Sequence, residues 1–106
     1  MAGEFGLSVR FTLKAGAAAA FDALVAETLA GIKASEPGTL VYVNHALDGE
    51  PERRIFYELY RDRDAFDEHE RQPHTRRFLA SREALVDNVE VDWLTAVDGK
   101  GYAQGG

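Results

Sequence analysis

Cysteine is missing from this 106-residue chain, and methionine and tryptophan occur once each. Without cysteine there is no disulfide, thiolate nucleophile, zinc ribbon or cysteine-ligated iron–sulfur cluster, so stability has to come from packing alone. Positive charge is also scarce, with 12 Lys and Arg against 18 Asp and Glu and a net charge of -6. No basic cluster offsets this deficit, which argues against a phosphate-backbone ligand and so against a nucleic-acid partner. Long apolar runs are lacking as well. The uncharged stretch from Ala15 to Phe21 is too short to cross a bilayer, and Met1 to Leu7 has neither the basic nor the apolar region of a signal peptide. No membrane partner is expected, and the cytoplasm is the expected location.

What is present is ordinary globular chemistry, 45% apolar and 28% charged residues in a length suited to one domain. Leu7, Val9, Phe11 and Leu13 alternate with Ser8, Arg10 and Thr12, the period of a half-buried strand. Phe21, Leu24, Val25, Thr28, Leu29 and Ile32 fall on one helical stripe behind the alanine run Ala17 to Ala20, and Ser35-Glu36-Pro37-Gly38 ends that helix. In this reading Pro37 stops the helix and Gly38 supplies a left-handed turn. Thr39 to Ala46 and Arg54 to Arg61 read as an antiparallel hairpin around Asp48-Gly49 and Pro51. A helix capped by Asp62 or Asp64 runs to about Arg71, bends at Pro73 and resumes to about Val86. Val89, Val91, Trp93, Thr95 and Val97 alternate along a last strand. The domain is expected over residues 7–97, with residues 1–6 an N-terminal extension or cloning scar and 98–106 a flexible tail.

The order β-α-β-β-α-β is an α+β, ferredoxin-like arrangement, a four-stranded antiparallel sheet with its helices on one face. Leu40-Val41-Tyr42-Val43 and Ile55-Phe56-Tyr57 put large apolar groups on both faces of the central hairpin. A second copy of the chain packed sheet to sheet is the simplest cover for the face the helices leave bare, so a homodimer forming an α/β barrel is expected.

Glu36-Pro37-Gly38-Thr39-Leu40-Val41-Tyr42, Ile55 to Asp62, Ala65 to His69 and Pro73-His74 with Phe78 together resemble the antibiotic biosynthesis monooxygenase family. The resemblance covers about Leu7 to Val97. It implies a dimeric α+β barrel and, in members of that kind, oxygenation of an aromatic polyketide, phenol or quinol by dioxygen without metal, flavin or other cofactor. Haem-degrading relatives use an Asn on the first strand and a Trp near the third. Leu7 to Leu13 carries no Asn and Trp93 lies on the fourth strand, which speaks against haem breakdown.

Oxygenation of this kind needs a base, donors for a developing anion, and exclusion of water. His69 and His74 are the bases by residue type. Their spacing of five, with Pro73 between, does not suit two ligands on one continuous helical face, so no metal site is expected. Tyr42 and Asn44 share one face of the second strand, and Phe56, Glu58 and Tyr60 one face of the third. If those faces point into a dimer cleft, Asn44 and Tyr60 donate to a substrate oxyanion, and Tyr42, Phe56, Glu58 and Trp93 contact the substrate. Glu58 is expected to be buried and paired with Arg10 or Arg54, and Arg71, Arg76, Arg77 and Arg82 to form a solvated face. The alternatives are a dimeric ligand-binding or accessory module without oxygen chemistry, and an isomerase of a small carbonyl compound using histidine and Glu58.

Overall fold

The structure, a computed structural model, describes residues 3–101. In chain order it contains β1 (Phe5–Leu13), α1 (Ala18–Ser35), β2 (Thr39–Leu47), β3 (Glu50–Tyr60), α2 (Arg63–Arg71), α3 (Pro73–Ser81), a 3-10 turn (Arg82–Ala84) and β4 (Val86–Thr95). The four strands form one antiparallel sheet in the order β2-β3-β1-β4. This is the ferredoxin-like α+β arrangement that the strand and helix periods predicted. No helix among the described residues is long and apolar enough to cross a membrane.

Several boundaries differ from the sequence reading, each for a local reason. Strand β1 begins at Phe5, because Phe5 pairs with Tyr60 and Thr95 and Gly6 with Leu59 and Leu94. Part of the expected extension therefore belongs to the sheet, while Met1 and Ala2 lie outside the described residues, as do residues 102–106 of the expected tail. The hairpin turn is only Asp48-Gly49, with Gly49 at φ 78°, so Pro51 and Glu52 belong to β3 beside an irregularity at Ala46/Leu47. Gly38 has no left-handed φ. It is glycine because a Cβ there would lie 2.7 Å from the Ala65 side chain, so the α1–β2 turn can lie against α2 only without one. At Pro73 the helix does not merely bend. Gln72 is extended (φ -69°, ψ 144°), and Pro73 starts a separate helix, where its missing N–H costs nothing. Strand β4 starts at Val86 and ends at Thr95, leaving Val97 outside it and 82% exposed.

Register places side chains in rows across the sheet, because directly paired residues share a face. One row reads Tyr42, Glu58, Leu7, Trp93 and the next reads Asn44, Phe56, Val9, Val91. These rows lie under the helices: Leu7, Val9, Phe11, Phe56 and Tyr60 form one core with Phe21, Leu24 and Val25 of α1, Phe66 of α2 and Phe78 of α3. The aromatic, polar-pointed face therefore packs against the chain's own helices and does not face a dimer cleft. The bare face carries Val41, Val43, Ile55 and Tyr57 from the opposite parity of β2 and β3, with Val43 40% and Leu94 37% exposed.

Phe21 is wholly buried, and its ring meets those of Phe11, Phe56 and Phe78 at 5.1, 5.9 and 5.9 Å. Phe21→Ala is expected to cost about 3–5 kcal/mol, measured as a lower urea midpoint with an unchanged slope. A loss below about 1 kcal/mol would show that α1 is not anchored through this ring.

Candidate functional site

Between the sheet and helices α2 and α3 lies a cavity of about 160 Å³. Its floor includes Leu7, Tyr42, Phe56, Glu58 and Trp93, and its roof His69, Thr75, Phe78, Leu79 and Arg82. The strand rows make the floor: Tyr42, Glu58, Leu7 and Trp93 are neighbours across four strands because β3 and β1 pair with this register. Asp62 supports the roof by accepting a 2.8 Å hydrogen bond from the Ala65 amide at the N-terminus of α2.

Behind the roof is a buried polar cluster that the sequence reading missed. Glu36, at the C-terminal end of α1, accepts at Oε1 from Thr39 Oγ1 at 2.7 Å and from His69 Nδ1 at 2.7 Å, and at Oε2 from His74 Nε2. Burial alone pushes the Glu36 carboxyl up, but the hydrogen bonds from His69, His74 and Thr39 outweigh it and hold the group at about 2. His69 is also buried, with its ring centroid 5.6 Å from Tyr42 and 5.3 Å from Tyr60. Its Nδ1 lies 3.3 Å from Thr75 Oγ1 as well, and Nε2 makes no hydrogen bond among the described residues. Among those residues no group of three or more His, Cys, Asp or Glu is arranged to hold a metal ion.

Of the residues singled out from the sequence, His69, Tyr42, Phe56, Glu58 and Trp93 meet at the cavity. Asn44, Tyr60 and His74 do not border it. Asn44 Nδ2 donates to Asp22 at 3.0 Å, next to Arg54, whose guanidinium donates to both oxygens of the same carboxylate at 3.0 and 2.9 Å. Asn44 thus joins a tie between α1 and the sheet. Tyr60 is wholly buried and gives its hydroxyl hydrogen to Glu58 at 2.6 Å, so it cannot also donate to a substrate. His74 stands on the far side of Glu36.

Glu58 is not paired with an arginine: Arg10 pairs with Asp92 and Arg54 with Asp22. Burial, with a smaller push from Glu70, raises its carboxyl above the ordinary range, and the Tyr60 hydrogen bond, then His69 and Arg82, only partly oppose this. Burial, with the nearby Glu58 charge, also pushes the Tyr42 phenol well up, and its hydroxyl has no partner among the described residues. Arg82 is no part of a solvated face. Its guanidinium sits 5.6 Å from the Phe11 ring centroid and 5.7 Å from that of Phe78, at the cavity wall, without an ion pair among the described residues.

A ferredoxin-like sheet whose helix-covered face encloses an aromatic cavity edged by imidazole, carboxyl, phenol and guanidinium groups defines a small α+β domain with a ligand-sized site. The chain belongs to the antibiotic biosynthesis monooxygenase family, whose profile matches residues 5–81. It is similar to the solved structure of PA3566 from Pseudomonas aeruginosa, 28% identical over 92% of this chain and 98% of that one, with a TM-score of 0.82. A candidate antibiotic biosynthesis monooxygenase from Caulobacter crescentus is 26% identical over 92% of both chains, with a TM-score of 0.85. Rv0793 from Mycobacterium tuberculosis is 25% identical over 92% of this chain and 99% of that one, at 0.83. No curated protein matches the chain.

The sequence did carry a sign of Glu36: an acidic residue directly before Pro37-Gly38, in a segment that ends a helix and needs no carboxylate to do so. Because the folded pKa of Glu36 lies below its ordinary 4.5, the ionised form stabilises the fold above that value, and the contribution is lost as pH falls toward about 2. The shift corresponds to on the order of 3 kcal/mol. Unfolding free energy is expected to fall between those pH values in the wild type and much less steeply in Glu36→Gln. Parallel urea titrations check this, and equal slopes for the two proteins would refute it.

Proposed function

We propose that the chain is a cofactor-independent monooxygenase that oxidises a phenol or quinol ring in this cavity. The observation that carries the reading is the meeting, in an aromatic cavity of about 160 Å³, of one imidazole nitrogen and one guanidinium without a hydrogen-bond or ion-pair partner among the described residues and one raised carboxyl. An enclosed apolar cavity of about 150 Å³ holds a benzene ring. The cavity therefore suits one aromatic ring, and further rings of a larger polyketide would leave past Trp93, which is 59% exposed.

In this reading His69 Nε2 takes the phenol proton, and the phenolate oxygen lies against Arg82 and the Tyr42 hydroxyl. The electron-rich ring passes one electron to dioxygen, and the resulting superoxide joins the ring carbon para to the oxygen. Glu58 protonates the distal peroxide oxygen and then, as carboxylate, removes the hydrogen from that carbon. The O–O bond breaks, the proton held by His69 completes a water molecule, and the proximal oxygen stays as the second quinone carbonyl. The balance is one phenol plus one dioxygen to one quinone plus one water, and both protein groups return to their starting states. Phe56 and Phe78 wall the ring from water, which keeps the peroxide from leaking away.

The bare sheet face supports a second part of the proposal, that Val41, Val43, Ile55 and Tyr57 meet the same residues of a second copy, as the family resemblance implies. Val43→Glu is expected to turn a dimer into a folded monomer in sedimentation equilibrium. A monomeric wild type would overturn it. For the chemistry, the purified chain with a panel of one- to three-ring phenols bearing a free para position should consume dioxygen and place one labelled oxygen atom from ¹⁸O₂ in the quinone. His69→Ala should lower kcat by about a hundredfold or more. The reading fails if no member of the panel supports uptake, or if His69→Ala turns over as fast as wild type.

A further inference from the structure

We infer that Glu36 is a positioning residue for His69: it fixes the buried imidazole in the tautomer that carries its proton on Nδ1 and leaves Nε2 bare for the substrate, while His74 and Thr39 hold the carboxylate itself. The inference rests on His69 being the base, and it adds how the protein keeps that base in working form.

An ionised carboxylate only accepts, so every group that bonds Glu36 must offer a hydrogen. His69 meets Oε1 through Nδ1, so Nδ1 is protonated, and in the neutral ring Nε2 is then the lone-pair nitrogen. His74 meets Oε2 through Nε2 and is therefore held in the opposite tautomer. Thr39 Oγ1 donates to Oε1 beside His69. With one donor on Oε2 and two on Oε1, the carboxylate cannot rotate without breaking bonds that burial makes costly.

Chain geometry makes the arrangement possible. On a continuous helix, residues five apart point about 140° away from each other. The extended Gln72 between α2 and α3 resets that angle, so His69 and His74 approach one carboxylate from two helices. His74 also needs room against α1: a Cβ at Gly31 would lie 2.3 Å from its Nδ1. A glycine on α1 facing this imidazole, a helix break between the two histidines and an acidic residue at the end of α1 thus serve one contact. Packing alone would be served as well by apolar side chains, which need no satisfied lone pairs.

The test uses the full chain labelled with ¹⁵N and long-range imidazole spectra at about pH 8, above the ordinary imidazole range. His69 is expected as the Nδ1–H tautomer and His74 as the Nε2–H tautomer. In Glu36→Leu no acceptor remains for Nδ1–H on that side chain, so His69 should lose its single tautomer. Its kcat should fall about a hundredfold, with KM within about threefold of wild type. His74→Ala removes one donor from Glu36 without touching His69, and should keep the His69 tautomer while lowering kcat less. A proton on Nε2 of His69 in the wild type overturns the inference without any variant, as does a folded Glu36→Leu protein with unchanged His69 spectra and kcat. If the wild type shows the expected tautomer pair but no phenol supports oxygen uptake, the oxygenase reading fails and the positioning inference stands.

Discussion

The hydrogen bonds that converge on the Glu36 carboxylate are the constraint on which the rest of this small domain turns. A carboxylate removed from water is costly unless its lone pairs are occupied, and here three donors occupy them. Those donors come from β2, α2 and α3, while Glu36 itself ends α1 as its C-cap residue, its backbone N–H donating to the Ile32 carbonyl. Four elements are therefore tied to one point, and none can shift without exposing a polar atom to the interior. The turn Glu36-Pro37-Gly38 brings them close, because at Gly38 the backbone lies where a side chain would strike Ala65. What looks like a helix stop is also the joint that sets the height of the roof above the sheet.

From that joint the chemistry of the cavity follows. With α2 and α3 held, His69 hangs over the strand row of Tyr42, Glu58, Leu7 and Trp93. The two buried carboxyl groups end in opposite electrostatic conditions. Glu36 has three donors and stays ionised, whereas Glu58 has only the Tyr60 hydroxyl among the described residues and is pushed toward its neutral form. Environment alone has set one residue type at two opposite electrostatic conditions, an ionised anchor at Glu36 and a raised carboxyl at Glu58. Tyr60, by giving its hydrogen to Glu58, settles which tyrosine is left for a ligand: Tyr42, whose hydroxyl is unpartnered among the described residues.

Most of the fold was legible in the sequence because periodicity reports it directly. The alternation from Leu7 to Leu13, the stripe from Phe21 to Ile32 and the Asp48-Gly49 turn each correspond to an element of the structure. What alternation does not report is which face the helices take when both faces are apolar. Parity correctly grouped Tyr42 with Asn44 and Phe56 with Glu58 and Tyr60, but it could not say that this face lies inward. The site was partly legible for a related reason. Residue type picked out His69, Glu58, Tyr42, Phe56 and Trp93, while Glu36 and Arg82 were read by local context, as a helix stop and a solvated charge. Both depend on contacts with segments more than thirty positions away in one case and with the underside of the sheet in the other. On a continuous helix the five-residue spacing would turn His69 and His74 apart, and the extended Gln72 breaks that helix in two.

The two ends of the cavity do different work. Its closed end is made by Phe11, Phe56 and Phe78, whose rings lie 4.7 to 6.4 Å apart and form the core itself, so a change there that alters the fit of a ligand also loosens the fold. At the open end stand Trp93 and Val91 on the edge strand β4, both substantially exposed although the Trp93 ring meets Phe66 of α2 at 5.7 Å, with Arg63 stacked on Phe5 beside them. Side chains there contribute little burial, so they can change with little loss of stability. On the proposed oxygenase reading, the fold keeps one reactive arrangement at the closed end while the edge strand sets how many rings of a substrate extend beyond it. This separation arises from the strand order, which puts β1 and β3 at the centre of the sheet under the helices and leaves β4 at the rim.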